Sequence, residues 1–179
     1  MTRTKSGTLN PAKKEIYDIL YSKYLYHKSC YKKAKDPKTK VYIIRCLEND
    51  VKEAGIQGKF IGLISEEALN TKIKLAKGKK ISIHEKPSTE HPITFRSIAK
   101  FLLESKRAFP EKKFFSTWLD NLIKVKTTRQ ENVMLIKYQQ NFNFLKNDWK
   151  ILYKKAGIKL TKDHNFNLAS IRSKYGITK

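Results

Sequence analysis

The chain has 179 residues, 40% of them hydrophobic, enough apolar content to exclude wholesale disorder. Its 39 Lys and Arg against 16 Asp and Glu leave a formal charge of +23. That surplus argues against a neutral metabolic enzyme and for a partner built of phosphates. Lys supplies 33 of the cations and Arg six; point-charge ammonium groups grip a backbone better than they read bases.

Residues 1–10 read as a flexible basic arm, and Asn10-Pro11 as a helix entry. Ile16, Ile19, Leu20 and Tyr24 then recur at helical spacing. Tyr17, Tyr21, Tyr24, Tyr26 and Tyr31 lie among Lys23, Lys28, Lys32 and Lys33. Such a pattern builds either a core stripe flanked by solvated lysines or a platform that stacks bases. Asp36-Pro37-Lys38 signals a turn, and Val41–Ile44 is expected as a strand. A second strand is expected over Lys59–Ile64, then a helix capped by Ser65 and ended by Gly78. Lys79–His84 alternates like a short strand. Ser88–Pro92 reads as a polar turn, Thr94 as a helix cap, and 105–112 as a basic loop around Pro110. Leu122–Lys126 reads as a strand, and Thr128-Arg129-Gln130-Glu131 as a capping box. A last clear helix holds Trp149, Leu152 and Tyr153 and stops at Ala156-Gly157.

These elements predict an α+β fold: a small mixed core of short antiparallel strands and several helices, in one domain over 11–160. Residues 161–179 read as a basic tail with a short helix. Cys30 and Cys46 are too few for a disulfide framework or an all-cysteine zinc site, and read as buried thiols. With no long apolar run and no apolar leader, a soluble intracellular chain without a membrane partner is expected, cytoplasmic or nucleoid-associated.

Among His27, His84, His91 and His164, the second-last stands out. Glu90-His91-Pro92 joins a carboxylate, an imidazole and a rigid backbone between predicted elements. Downstream, the strand over 122–126 leads into a helix start bearing Glu131 and Asn132. In these residues the chain resembles the HNH, or ββα-metal, nucleases over roughly 60–160. That family places a histidine at a strand end and takes an Asn or His from a later helix. The resemblance implies a ββα-metal-like motif and a metal-dependent DNA endonuclease of restriction or phage type. His91 would be the general base. Glu90 and Asn132 would join it in catalysis and hold one Mg²⁺ or Mn²⁺, with no zinc. Lys79, Lys80, Lys86, Arg96, Lys124, Lys126 and Arg129 would hold the nucleic acid, expected to be duplex DNA, and a homodimer would suit double-strand cutting. Glu131 is also claimed by the capping box, and Asn121 is the nearest candidate for the family's central Asn.

The alternative is a non-catalytic nucleic-acid binder, DNA-architectural or ribosome-associated, which needs only the lysines and tyrosines. An acidic protein partner is a third reading. Val41-Tyr42 with Phe60-Ile61-Gly62 is loosely similar to the paired strands of GIY-YIG nucleases. Glu104-Ser105-Lys106 and Glu111-Lys112-Lys113 match a Glu-x-Lys pattern that abundant lysine makes commonplace. Asn167–Thr178 resembles the first half of a helix-turn-helix, without the recognition helix. Asp163-His164-Asn165 reads as a turn.

Overall fold

A computed structural model describes residues 13–140, 142–162, 171–173 and 176. The arm, the Asn10-Pro11 entry and Asp163-His164-Asn165 lie outside these residues. The fold is α+β, as the sequence predicts. Backbone contacts gather into two compact units, each assembled from two stretches of chain, where one domain over 11–160 was expected.

The first unit takes residues up to Lys59 and Ile93–Ile123. Its helices are α1 (Lys14–Lys33), α2 (Pro37–Glu53), α4 (Phe95–Glu104) and α5 (Glu111–Asn121). The expected strand over Val41–Ile44 is instead the middle of α2. Asp36 starts that helix, its carboxylate accepting from the Thr39 amide at 2.7 Å, and Pro37 occupies the first turn. Ile43, Ile44, Leu47 and Val51 then bury one helical face, while Tyr42 stays 68% exposed. Two-fold alternation is absent, so β-branching loses to helical periodicity and a strong cap. The GIY-YIG likeness, which needs a strand at Val41-Tyr42, fails with it.

Tyr17 and Tyr24 are buried, which settles the core reading for those two rings. Tyr24 stacks on Phe114 at 4.5 Å, and Trp118 is fully buried beside it. Tyr24 Oη accepts from the Phe109 amide, and Tyr21 Oη donates to the Phe109 carbonyl, both at 2.9 Å. These bonds pin the basic loop before α5.

Lys28, 3% exposed, is the unusual member of this core. Its ammonium donates to the carbonyls of Leu102 (2.9 Å), Leu103 (2.7 Å) and Ser105, and to Ser105 Oγ (2.7 Å). It thus closes the C-terminus of α4, whose last carbonyls lack intrahelical donors. Burial, reinforced by the nearby Lys32 ammonium, lowers its pKa to about 8.

The second unit takes Phe60–Pro92 and residues from Lys124 onward. It holds β1 (Lys59–Ser65), α3 (Glu66–Ala76), β2 (Pro87–Glu90), β3 (Ile123–Thr128), α6 (Arg129–Gln139), α7 (Lys150–Lys155) and β4 (Leu160–Lys162). The sheet runs β2-β3-β1-β4. β2 is antiparallel to β3, with Ser88 opposite Thr127 and Glu90 opposite Val125. β4 is antiparallel to β1, with Leu63 opposite Lys162. Val125, Leu135, Leu152, Tyr153 and Ile158 form the core, with Ile61, Leu63 and Leu160 packed on it.

Lys79–His84 is not a strand, and the expected turn over Ser88–Glu90 is one. Gly78, at φ 72°, ends α3 as the sequence predicts. The chain then turns around Glu85, which accepts from Lys74 (2.7 Å) and from the Ser82 amide (2.9 Å). The His84 and Lys86 carbonyls accept from the Gln130 and Arg129 amides, both at 3.1 Å. This segment therefore covers the start of α6 and joins no sheet. Pairing begins only at Pro87, a place where a missing N–H is tolerated.

Candidate functional site

The sequence-predicted residues of the second unit gather around α6, whose first turn is built as expected. Thr128 Oγ1 accepts from the Glu131 amide at 3.2 Å, and Glu131 Oε2 accepts from the Thr128 amide at 2.8 Å. Glu131 Oε2 also accepts from Ser65 Oγ at 2.6 Å. Ser65 in turn caps α3, its Oγ accepting from the Ala68 amide at 3.1 Å. One buried hydroxyl and one carboxylate thus join the starts of two helices. Glu131 is consumed by this structure, leaving the metal assignment to Glu90 and Asn132.

Asn132, one residue further, lies over the start of β2. Its Oδ1 accepts from Thr127 Oγ1, and its Nδ2 donates to Ser88 Oγ at 3.1 Å. Glu90 sits at the other end of β2. Its carboxylate accepts from Gln139 Nε2 at 2.6 Å and from the His91 amide. Gln139 Nε2 also lies 3.1 Å from the His91 carbonyl oxygen. Asn132 and Gln139 are seven residues apart on α6, about 10 Å of helical rise. Asn132 and the Glu90-His91 pair are therefore held at opposite ends of the strand. As placed, Glu90 and Asn132 do not fit one shared cation: their oxygens face internal donors two turns apart. Among the described residues, no group of three or more His, Cys, Asp or Glu is placed to hold a metal ion.

Glu90 is the electrostatically perturbed group of this face. Burial raises its pKa above the ordinary 4.5, against the lowering effect of Gln139 and the His91 amide. Tyr153, 1% exposed, is pushed upward by burial and then by the Glu90 and Glu131 charges. For a carboxyl whose pKa is raised by folding, the folded chain holds a proton that the unfolded chain has released. Stability therefore falls as pH rises from about 4.5 through the raised value, then levels off. Glu90→Gln removes the titrating group, so that fall should flatten in thermal melts across this window; an unchanged profile would show that another group titrates. Glu85, lowered to about 2 by Lys74 and Ser82, works below that window and in the opposite sense.

Six of the seven basic candidates belong to the second unit. Lys79 and Lys80 are exposed beyond α3. Lys86 and Arg129 are exposed neighbours, joined through the Arg129 amide and the Lys86 carbonyl. Lys124 and Lys126 are half-buried on β3, with Lys126 4.5 Å from the Phe60 ring centroid. Arg96 belongs to the first unit, where its Nε lies 3.4 Å from Glu48 Oε2. Asn121 donates to the Thr117 carbonyl within α5, also in the first unit.

Sequence reasoning passed over Gln139, and read Ser65 and Tyr153 only as a helix cap and a helix residue. Gln139 falls on the same α6 face as Leu135, a polar residue where the helical pattern calls for an apolar one. That mismatch was the available signal. Charge balance is the other property of the unit. Its described residues carry 17 Lys and Arg against six Asp and Glu. Of those six, Glu85 is paired with Lys74, and Glu90 and Glu131 are turned to internal donors. The chain matches no family model, no curated protein and no solved structure.

Proposed function

We propose that the protein binds nucleic acid through the phosphate backbone. The observation that carries this reading is the uncompensated positive charge of the second unit, where half of the few acidic side chains are already engaged internally. Lysine dominance favours backbone grip over base readout. The test is equilibrium binding of labelled single-stranded and duplex oligonucleotides across a salt series. The logarithm of affinity should fall linearly with the logarithm of salt, with a slope of several units, as counterions are released. Affinity insensitive to salt, or no binding at about 50 mM salt, would overturn the reading.

A metal-dependent endonuclease is the second reading. It is favoured by one arrangement: β2 pairs antiparallel with β3, β3 leads directly into α6, and His91 lies one residue past β2, with α4 and α5 intervening in the chain between the two strands. In this reading His91 takes the proton from the attacking water. Cleavage would need oxygen ligands other than a Glu90–Asn132 pair. Plasmid nicking with Mg²⁺ or Mn²⁺ should then be lost in His91→Ala, and equal nicking by wild type and variant would remove His91 from the chemistry.

A further inference from the structure

Behind α7 lies a hollow of about 510 Å³, within the range that small ligands occupy. Its apolar lining is Leu63 of β1 and Leu160 of β4, with the buried Tyr153 and Ile158 beneath, and its remaining lining includes Lys150, Lys154 and Lys159. Lys150 and Lys154 are four residues apart on α7, so their side chains rise from one face. Gly157, at φ 70°, turns the chain so that Lys159 returns to the same opening. All three lysines are exposed; the Asp148 carboxylate accepts from the Lys150 backbone amide at 3.0 Å, and the ammonium groups face the opening. Three ammonium groups about one opening repel each other, and a bound anion relieves that repulsion.

We propose that this hollow takes an unstacked base of single-stranded nucleic acid, with the adjoining phosphates on Lys150, Lys154 and Lys159. The inference rests on the nucleic-acid reading above and gives it a location and a strand preference. A bare phosphate has no use for an apolar lining, and a duplex keeps its bases stacked within itself. A single strand offers both a flat apolar face and flanking anions. The hollow runs along the six-residue α7 from Lys150 to Lys154, so the lysines, not a helix end, carry the attraction.

The experiment measures fluorescence anisotropy of a labelled oligothymidylate on the full chain. The wild type is compared with Lys150→Ala/Lys154→Ala/Lys159→Ala and with a control of equal charge change, Lys33→Ala/Lys35→Ala/Lys38→Ala. The hollow variant should bind at least about tenfold more weakly than the control, with the salt slope reduced by about two units. An abasic strand of equal length and a duplex of the same length should compete poorly. Equal loss in both variants, or equal competition by the abasic strand or the duplex, overturns the hollow and leaves backbone binding standing. No binding of the oligothymidylate or the duplex by the wild type overturns both.

Discussion

Replacing Lys28 by methionine should destabilise the protein by about 3 kcal/mol, although methionine matches the length and most of the apolar stem. The stem is not what the position needs. Three carbonyls and one hydroxyl converge on the ammonium, and all four lie at the end of α4. Methionine donates nothing, so the Leu102 and Leu103 carbonyls would stay dry and unpaired at about 1–3 kcal/mol each, eased by local opening to water. Denaturant unfolding near neutral pH measures the loss. A pH series identifies its origin. The folded chain gives up this proton near pH 8, while the unfolded chain holds it to about 10.5. Over that interval the unfolded state binds more protons, so wild-type stability gains with rising pH and the variant lacks that gain. A variant as stable as wild type would show that the carbonyls find water without the lysine.

Glu131→Ala should cost a similar amount, about 3 kcal/mol, and Glu131→Gln about half of it. Alanine removes the acceptor of two donors, the Thr128 amide and Ser65 Oγ, both buried. Glutamine keeps one oxygen for them and loses the charge that strengthens both bonds. The informative companion is Ser65→Ala, which removes the other half of the Ser65–Glu131 bond. If the two caps act as one device, the double variant Ser65→Ala/Glu131→Ala loses less than the sum of the single losses by about 1 kcal/mol. Strict additivity would show that α3 and α6 are capped independently.

Much of the fold was legible because local signals and tertiary demands agreed. Ser65, Thr94 and Thr128 each cap the helix expected of them, since a short hydroxyl before an apolar period has few other uses. Gly78 ends α3 and Gly157 follows α7 for the steric reason that makes glycine readable at all. Val41–Ile44 misled because β-branched residues fit either element when buried on one face, and Asp36-Pro37 was read as a turn when it was a cap. Lys79–His84 misled because alternation over six residues says nothing about where backbone partners lie, and here the His84 carbonyl, like that of Lys86 just beyond, is committed to α6.

The candidate site was less legible than the fold. Glu90 and Asn132 look like ligands in sequence because oxygen-bearing side chains near a helix start suit a hard cation. The same side chains also satisfy neighbours, and Gln139 and Ser88 are those neighbours. No spacing rule in a single sequence separates these uses. The lysines of the hollow were hidden for a different reason. Lys150 and Lys154 sit four apart, but in a chain with 33 lysines such a pair attracts no notice until the turn at Gly157 places Lys159 beside them.

The interleaving of the two units along the chain bears on how the protein emerges during synthesis. The first unit needs residues up to Ile123, and the second begins at Phe60 yet draws β3, α6, α7 and β4 from beyond Lys124. A nascent chain therefore carries β1, α3 and β2 without their sheet partner β3 while the helical unit completes itself. Until β3 is synthesised, β2 lacks the strand it pairs with. Chain order thus supplies every residue of the first unit before the sheet of the second can close, with α6 and α7 following β3.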